Sequence, residues 1–289
     1  MQTTFNENIF LEKDKLANYL EASKIALLDE ILERAQLNKL KGRHLYKAFN
    51  GIFAQGNLSL LNKPKVAIIG TRTPNQYAKQ ITAQLATMLS AKGFVIVSGG
   101  AIGIDSIAHM NSNNKAILIL PCGISTNYPK ENISMIANLR QNGLVLSEYS
   151  GTYTPMKHTF LERNRIIVAW SDIVIIPQAD IKSGSSSSAN LALTLNKPLF
   201  VLPHRIHESR GTQELLQENK AKCIYDMESF VKMACEWHNL SYEQDRDPIL
   251  EFALTNGLFE DALKLFGDVV FTYEIEGKIK RNGIYIAPC

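Results

Sequence analysis

Along this 289-residue chain the apolar positions change rhythm twice. Through residues 1–60 they recur at helical spacings, as in Leu16, Tyr19, Leu20, Ile25, Leu27, Leu28, Ile31 and Leu32. That spacing predicts an N-terminal helical segment with one apolar face. From Lys65 onward short apolar runs take over, at 66–69, 94–97, 116–120, 144–146, 173–176 and 199–202. Each is rich in β-branched residues or leucine, ends near Gly, Pro or Ser, and is followed by an amphipathic stretch of helix length. Six strands alternating with helices predict an α/β fold, a doubly wound, mostly parallel sheet over residues 61–235.

Residues 236–248 are polar and charged, the texture of a linker. Beyond them, 249–253, 259–265 and 269–275 suit three short helices, and Asn282-Gly283 suits the turn of a closing hairpin. Three helices and a hairpin within 249–289 are the layout of a small winged-helix domain.

Composition adds limits. Apolar content of 45% and charged content of 20% are ordinary for a soluble globular chain. No apolar run approaches the ~18 residues that span a bilayer, and residues 1–8 lack the basic-then-apolar layout of a signal peptide. A cytoplasmic protein without membrane contact is expected. The four cysteines are scattered, with no CxxC pair and no histidine at ligand spacing, so reduced thiols are expected and no metal site. The net charge is only +3, yet residues 66–215 hold thirteen Lys/Arg against eight Asp/Glu, while 249–289 hold four against six. An anionic partner therefore belongs with the central domain.

In an open parallel sheet, ligands bind beyond the carboxyl ends of the strands. After the second run comes Ser98-Gly99-Gly100-Ala101-Ile102-Gly103-Ile104-Asp105. Three glycines at a strand-to-helix junction leave backbone N–H groups open beside a helix N-terminus, the design of a phosphate cradle. The GxGxxG fingerprint with its ribose acid and the GxxxxGK[ST] loop are both missing, so no nucleotide cofactor is expected. Lys157, Arg163 and Arg165 fall within nine residues together with Phe160 and Asn164. Cations that track phosphates and a ring on which a base stacks are what a single-strand binder uses. Alternatively, Phe160 is core and the arginines are clamps on neighbouring acids. Lys182, Ser183, Gly184 and Ser185 open a serine run that reads either as a flexible linker or, before the amphipathic residues 189–195, as an anion-binding helix N-terminus.

Asp105 reads as a helix-start stabiliser within reach of His109 one turn on. No Ser/His/Asp or Cys/His set assembles, so catalysis is not expected. In the tail, the helix that would enter a major groove carries Asp268, Glu274 and Glu276 and no Lys or Arg. That is the wrong charge for duplex DNA, and points to protein contact or dimerisation instead.

Taken in order, Val66-Ala-Ile-Ile-Gly-Thr-Arg72, the Ser98 to Asp105 loop, Ala108-His109, Tyr128-Pro129, Ser147-Glu-Tyr149, Arg163-Asn-Arg165, Ser183-Gly-Ser185 and Gly211-Thr212 resemble the DNA-processing family called DprA or Smf. The resemblance covers roughly residues 57–225, and the tail is similar to the winged-helix domain many members carry. It implies an extended Rossmann-like fold that binds single-stranded DNA without hydrolysing it. It also implies protection of incoming strands in natural transformation, loading of the RecA recombinase, and a homodimer. By motif, Arg72 and the Ser98, Gly99 and Gly100 amides would hold phosphates. Lys157, Arg163, Asn164 and Arg165 would line a basic pocket, Phe160 would stack on a base, and Lys182 with Ser183, Gly184 and Ser185 would close the far side. Ile102 stands where the family most often has arginine. The competing reading is a nucleotide-processing enzyme of the lysine-decarboxylase-like phosphoribohydrolase group. Its Pro-Gly-Gly-x-Gly-Thr loop and glutamate have no counterpart at residues 177–184.

Overall fold

The structure, a computed structural model, describes residues 8–37, 48–242, 247–255 and 257–288. The chain divides into a unit ending at Leu240 and a second beginning at Ser241.

The first unit is built on nine strands: β1 (Ile9–Glu12), β2 (Gly51–Gly56), β3 (Lys65–Ile68), β4 (Val95–Ser98), β5 (Ala116–Ile119), β6 (Leu144–Ser147), β7 (Ile173–Ile176), β8 (Leu199–Val201) and β9 (Lys222–Cys223). They lie in the order β1-β2-β6-β5-β4-β3-β7-β8-β9. From β6 to β9 every pairing is parallel, with Val66 beside Ile173 and Ile96 beside Ala116. The six apolar runs are β3 to β8. All six strands are buried along their whole length, because a parallel sheet is covered on both faces.

The helices are α1 (Lys13–Leu16), α2 (Ala22–Leu37), α3 (Gln76–Ala91), α4 (Ile104–Met110), α5 (Ile133–Asn142), α6 (Lys157–Trp170), α7 (Gly184–Thr194), α8 (Arg210–Gln217) and α9 (Met227–Trp237). α6 packs between α2 and α7, and their apolar residues share one core with alternate strand positions such as Ala67, Val97, Ile119 and Val174. α5 closes the opposite face over Leu118 and Val145.

The N-terminal stretch departs from the helical reading at two places. β1 and β2 pair antiparallel with each other, and β2 pairs antiparallel with β6. The segment thus extends the central sheet as well as covering it with α2. β1 buries only Leu11. An edge strand with one buried residue has no period of its own to read, and its pairing comes from β2, about forty residues further along the chain.

Within the second unit, α10 (Pro248–Leu254), α11 (Phe259–Phe266) and α12 (Val269–Ile275) precede a hairpin of β10 (Ile279–Asn282) and β11 (Tyr285–Pro288). Ile249, Ala253, Ala262, Val270, Ile279 and Ile286 form its core. Gly283 takes the positive φ that the turn requires.

Candidate nucleic-acid interface

Strand order reverses at β3: the chain builds outward through β4, β5 and β6, then returns to lay β7 on the other side. That switch point, at the carboxyl ends, is where such sheets bind ligands. A cavity of about 330 Å³ opens there. Arg72 comes from the turn after β3, and Gly99, Ala101 and Ile102 from the turn after β4. Pro121, Tyr128, Pro129, Lys130 and Glu131 come from the segment after β5, and Phe160 and Arg163 from α6. The Arg72 guanidinium stands 5.7 Å from the centroid of the Phe160 ring, and Tyr128 meets the same ring edge-on at 5.9 Å. The result is an aromatic shelf with a cation beside it, and Arg72 is exposed.

α6 explains which of its residues serve the cavity. Residues three or four apart share a helical face, so Lys157, Phe160 and Asn164 lie on one side. Lys157 is exposed in the first turn, and Asn164 is half-buried. Arg163 borders the cavity but is buried. Its Nη1 donates to the Gly99 carbonyl and, at 2.8 Å, to the Ile119 carbonyl. It ties the ends of β4 and β5 together. Burial lowers its pKa to about 10, so it stays charged at neutral pH. Arg165, two residues on, points about 200° around the helix from Arg163. It is fully enclosed, donates to Glu148 Oε1 at 2.5 Å and lies 5.9 Å from the Phe49 ring centroid. The expectation that Arg165 lines a basic pocket is corrected: its cation is used inside the core.

The glycine loop also differs from an open cradle. Asp105 turns back into it, accepting from the amides of Gly99 at 3.2 Å and Ala101 at 3.4 Å with one oxygen, and from Gly70 at 3.4 Å with the other. Burial pushes the Asp105 carboxyl up, against the opposing pull of Arg163 and these amides. The Ser98 hydroxyl donates to the Ile68 carbonyl at 2.6 Å. The Gly99 amide and the Ser98 hydroxyl are therefore already engaged by the protein, and the loop is folded around a carboxyl group of its own. Gly99 is required for another reason: a Cβ there would lie 1.9 Å from Arg163 Nη1. Gly100 has φ +67, the left-handed region, and its carbonyl accepts from Asn132 Nδ2 at 2.9 Å. His109 does not reach Asp105. It is buried, and burial lowers its pKa to about 3 against the opposing pull of the Ser98 backbone.

Lys182, Ser183, Gly184 and Ser185 are not in this cavity. Lys182 and Ser183 border a separate one of about 470 Å³ that also includes Glu214 and Glu218. Ser183 Oγ caps α7 by accepting from the Ser186 amide at 3.2 Å, and Ser186 Oγ donates to the Asp180 carbonyl at 2.6 Å. Ser185 is buried. The serine run builds its own helix start rather than a far wall for the Phe160 shelf. Contact between the two loops runs instead through Gln178, which accepts from the Thr71 amide with its carbonyl and from the Asn75 amide with its side chain, both at 2.9 Å.

Tyr128-Pro129 stood among the family motifs, but the sequence pattern gave no site role to the segment after β5, with Pro121, Tyr128, Pro129 and Lys130. The strand-end rule that found the other loops points there equally, since 116–120 is as clear a strand as its neighbours.

Fold and site define the class: a doubly wound α/β protein whose strand-exit cavity pairs an exposed cation with an aromatic shelf. The chain belongs to the DNA recombination-mediator protein A family, whose model matches residues 35–234. It is 34% identical over 199 residues to the DNA processing protein DprA of Bacillus subtilis, covering 67% of this chain and 66% of that protein. With DprA of Streptococcus pneumoniae it shares 35% over 179 residues, covering 60% and 63%. The chain thus spans just under two thirds of the length of these relatives. Among solved structures, DNA processing protein A from Helicobacter pylori superposes with a TM-score of 0.64 at 48% identity, over 67% of this chain and 94% of that one. The S. pneumoniae DprA structure superposes with a TM-score of 0.60 at 31% identity, over 69% of each chain.

Proposed function

We propose that this protein binds single-stranded DNA at the strand-exit cavity and acts as a recombination mediator without catalysing a reaction on the strand. The observation that carries the reading is the Arg72–Phe160–Tyr128 shelf over a cavity sized for one nucleotide unit. A ring on which a base stacks and a cation for the adjacent phosphate form one repeat of a single-strand site. The H. pylori relative has a structurally described single-stranded DNA binding mode, which supports the same use here. Arg72, Lys157 and Phe160 contact the strand directly, with Asn164 on the same helical face. Arg163 shapes the cavity floor, and Gly99 gives it room.

The wider role we infer is protection of incoming strands and loading of RecA onto them during natural transformation, by a homodimer in the cytoplasm. No described helix is long and apolar enough to cross a membrane, and the described residues hold no cluster that would bind a metal ion. We read the second unit as a winged-helix domain used for protein contact. Most of its cations are committed: Arg281 bonds Glu274 at 2.8 Å and stacks on Phe259, Lys278 pairs with Glu276 at 2.6 Å, and Lys264 with Asp261 at 3.1 Å.

The test is fluorescence anisotropy of a labelled dT30 across a salt series. Binding should weaken steeply with salt as phosphates exchange counterions for protein cations. Absent or salt-insensitive binding would overturn the reading, and release of base from a nucleoside monophosphate would replace it with the phosphoribohydrolase reading.

A further inference from the structure

At the other end of the sheet, where β3 and β7 begin, a second cavity of about 600 Å³ opens. Lys65, the first residue of β3, lines it with Asp172, which precedes β7, and with Lys24 from the first turn of α2. Lys65 is 1% exposed and the Lys24 side chain 8%. Both oxygens of Asp172 are occupied: Oδ1 by Lys24 Nζ at 2.7 Å, and Oδ2 by the Lys65 amide at 2.8 Å. Among the described residues, Lys65 Nζ donates to the Lys63 carbonyl alone, at 2.6 Å, and Lys197 Nζ to the carbonyls of Ala169 and Ser171 at 3.0 and 2.8 Å. Among the described residues, two enclosed lysines, Lys24 and Lys65, and the half-buried Lys197 beside them therefore share one largely buried carboxylate, Asp172. A second acid of the cavity wall, Glu21, pairs with Lys24 at 3.6 Å but is 71% exposed.

Such an excess of buried positive charge is costly unless something balances it. Part of the strain falls on Lys65, whose pKa burial and the charge of Lys24 lower to about 8. α2 adds to the same field. It runs for sixteen residues with no acidic side chain in its first turn, and Ala22 at its N-terminus is part of the cavity wall. The positive end of that helix thus faces the cluster. Lys63 stands exposed at the mouth.

We propose that this amino-end cleft binds a phosphate group, an anion that balances the positive charge Asp172 leaves unmatched. The site is independent of what the strand-exit cavity holds, since none of its residues lines that cavity. The phosphate could be free or could end a nucleic-acid strand, and both carry the same oxygen cage.

The experiment is a thermal melt of the full chain with rising potassium phosphate, ionic strength being held with potassium chloride. The melting temperature should rise with phosphate in the wild type and in Arg72→Ala, and should not rise in Lys65→Met. A wild type indifferent to phosphate, or a Lys65→Met protein that still responds, overturns the proposal. Should Lys65→Met show no cooperative melt, Lys63→Glu at the exposed mouth takes its place. There the phosphate midpoint should move about tenfold or more, the size of one charge-assisted hydrogen bond, and an unchanged midpoint overturns the proposal. A dT oligonucleotide with and without a 5′-phosphate, added to Arg72→Ala, separates the sources. Stabilisation by the phosphorylated form alone assigns the site to strand ends, and stabilisation by neither assigns it to the free ion.

Discussion

Three arginines stand in or near the strand-exit loops, and the structure separates their work into binding and stability. Arg165 is the sharpest case. Replacing it with Met removes the guanidinium that meets Glu148 at 2.5 Å, where the carboxylate side chain is only 3% exposed. A buried pair broken on one side costs about 3–5 kcal/mol, because the remaining charge stays in a poor solvent. Against a total stability on the order of 5–15 kcal/mol that is a large share. It corresponds to a fall in melting temperature of about 6–20 °C for a unit of this size. Arg72 is exposed and makes no ion pair among the described residues, so Arg72→Ala should shift stability by no more than about 0.5 kcal/mol. Its effect belongs in binding: weaker affinity for every sequence, and a salt slope shallower by about 0.7, the loss of one phosphate contact on a single strand. Denaturant unfolding and dT30 anisotropy on the two variants, at a temperature where both are folded, measure the separation. An Arg165→Met protein that melts with the wild type yet loses DNA would refute the assignment.

Phe160→Ala should weaken dT30 binding by about 1–3 kcal/mol, the value of one stacked base, with the salt slope unchanged because no charge is lost. Gly99→Ala sets a methyl 1.9 Å from Arg163 Nη1 and must push the guanidinium off two carbonyls. A destabilisation of about 1–3 kcal/mol in urea is expected, together with weaker DNA binding as the cavity floor shifts. His109 titrates near pH 3 when folded, below its ordinary value, so the unfolded chain takes up its proton first. Stability tied to His109 is complete above about pH 6.5 and is lost as pH falls toward 3, by up to ~1.4 kcal/mol per unit. Asp105, pushed up by burial, acts in the opposite sense, so the difference between wild type and His109→Met isolates the histidine. An acid-range slope identical in the two proteins would show that His109 is not the group responsible.

Local pattern carried the central sheet a long way. Runs such as 173–176 are apolar at every position, and only a strand covered on both faces uses such a run. Their alternation with amphipathic helices left few topologies, and the loops at the strand ends pointed to Arg72, Gly99, Phe160 and Arg163 from sequence alone. β1 and β2 escaped because β1 pairs with β2 and β2 pairs with β6, about ninety residues away, so the pairing leaves little trace in their own residues. The Tyr128 to Glu131 wall was legible but not assigned to the site, since it lacks glycines and its one cation, Lys130, stands beside Glu131.

What the sequence determined by itself, then, is whatever depends on neighbours along the chain: strand and helix identity, the glycine-bearing turns, the hairpin at Asn282-Gly283, and membership of the family through motifs in order. Tertiary structure decided the use of each polar group, because desolvation and pairing are properties of three-dimensional surroundings. Arg163 and Arg165 differ by two positions in sequence, and the helical turn between them sends one to the cavity floor and the other into the core. Asp105 and Gly99 looked like a loop awaiting a phosphate, and folding brought the carboxylate onto the amides first. Lys24, Lys65 and Lys197 are unremarked single lysines in the sequence, and only the sheet gathers them around Asp172.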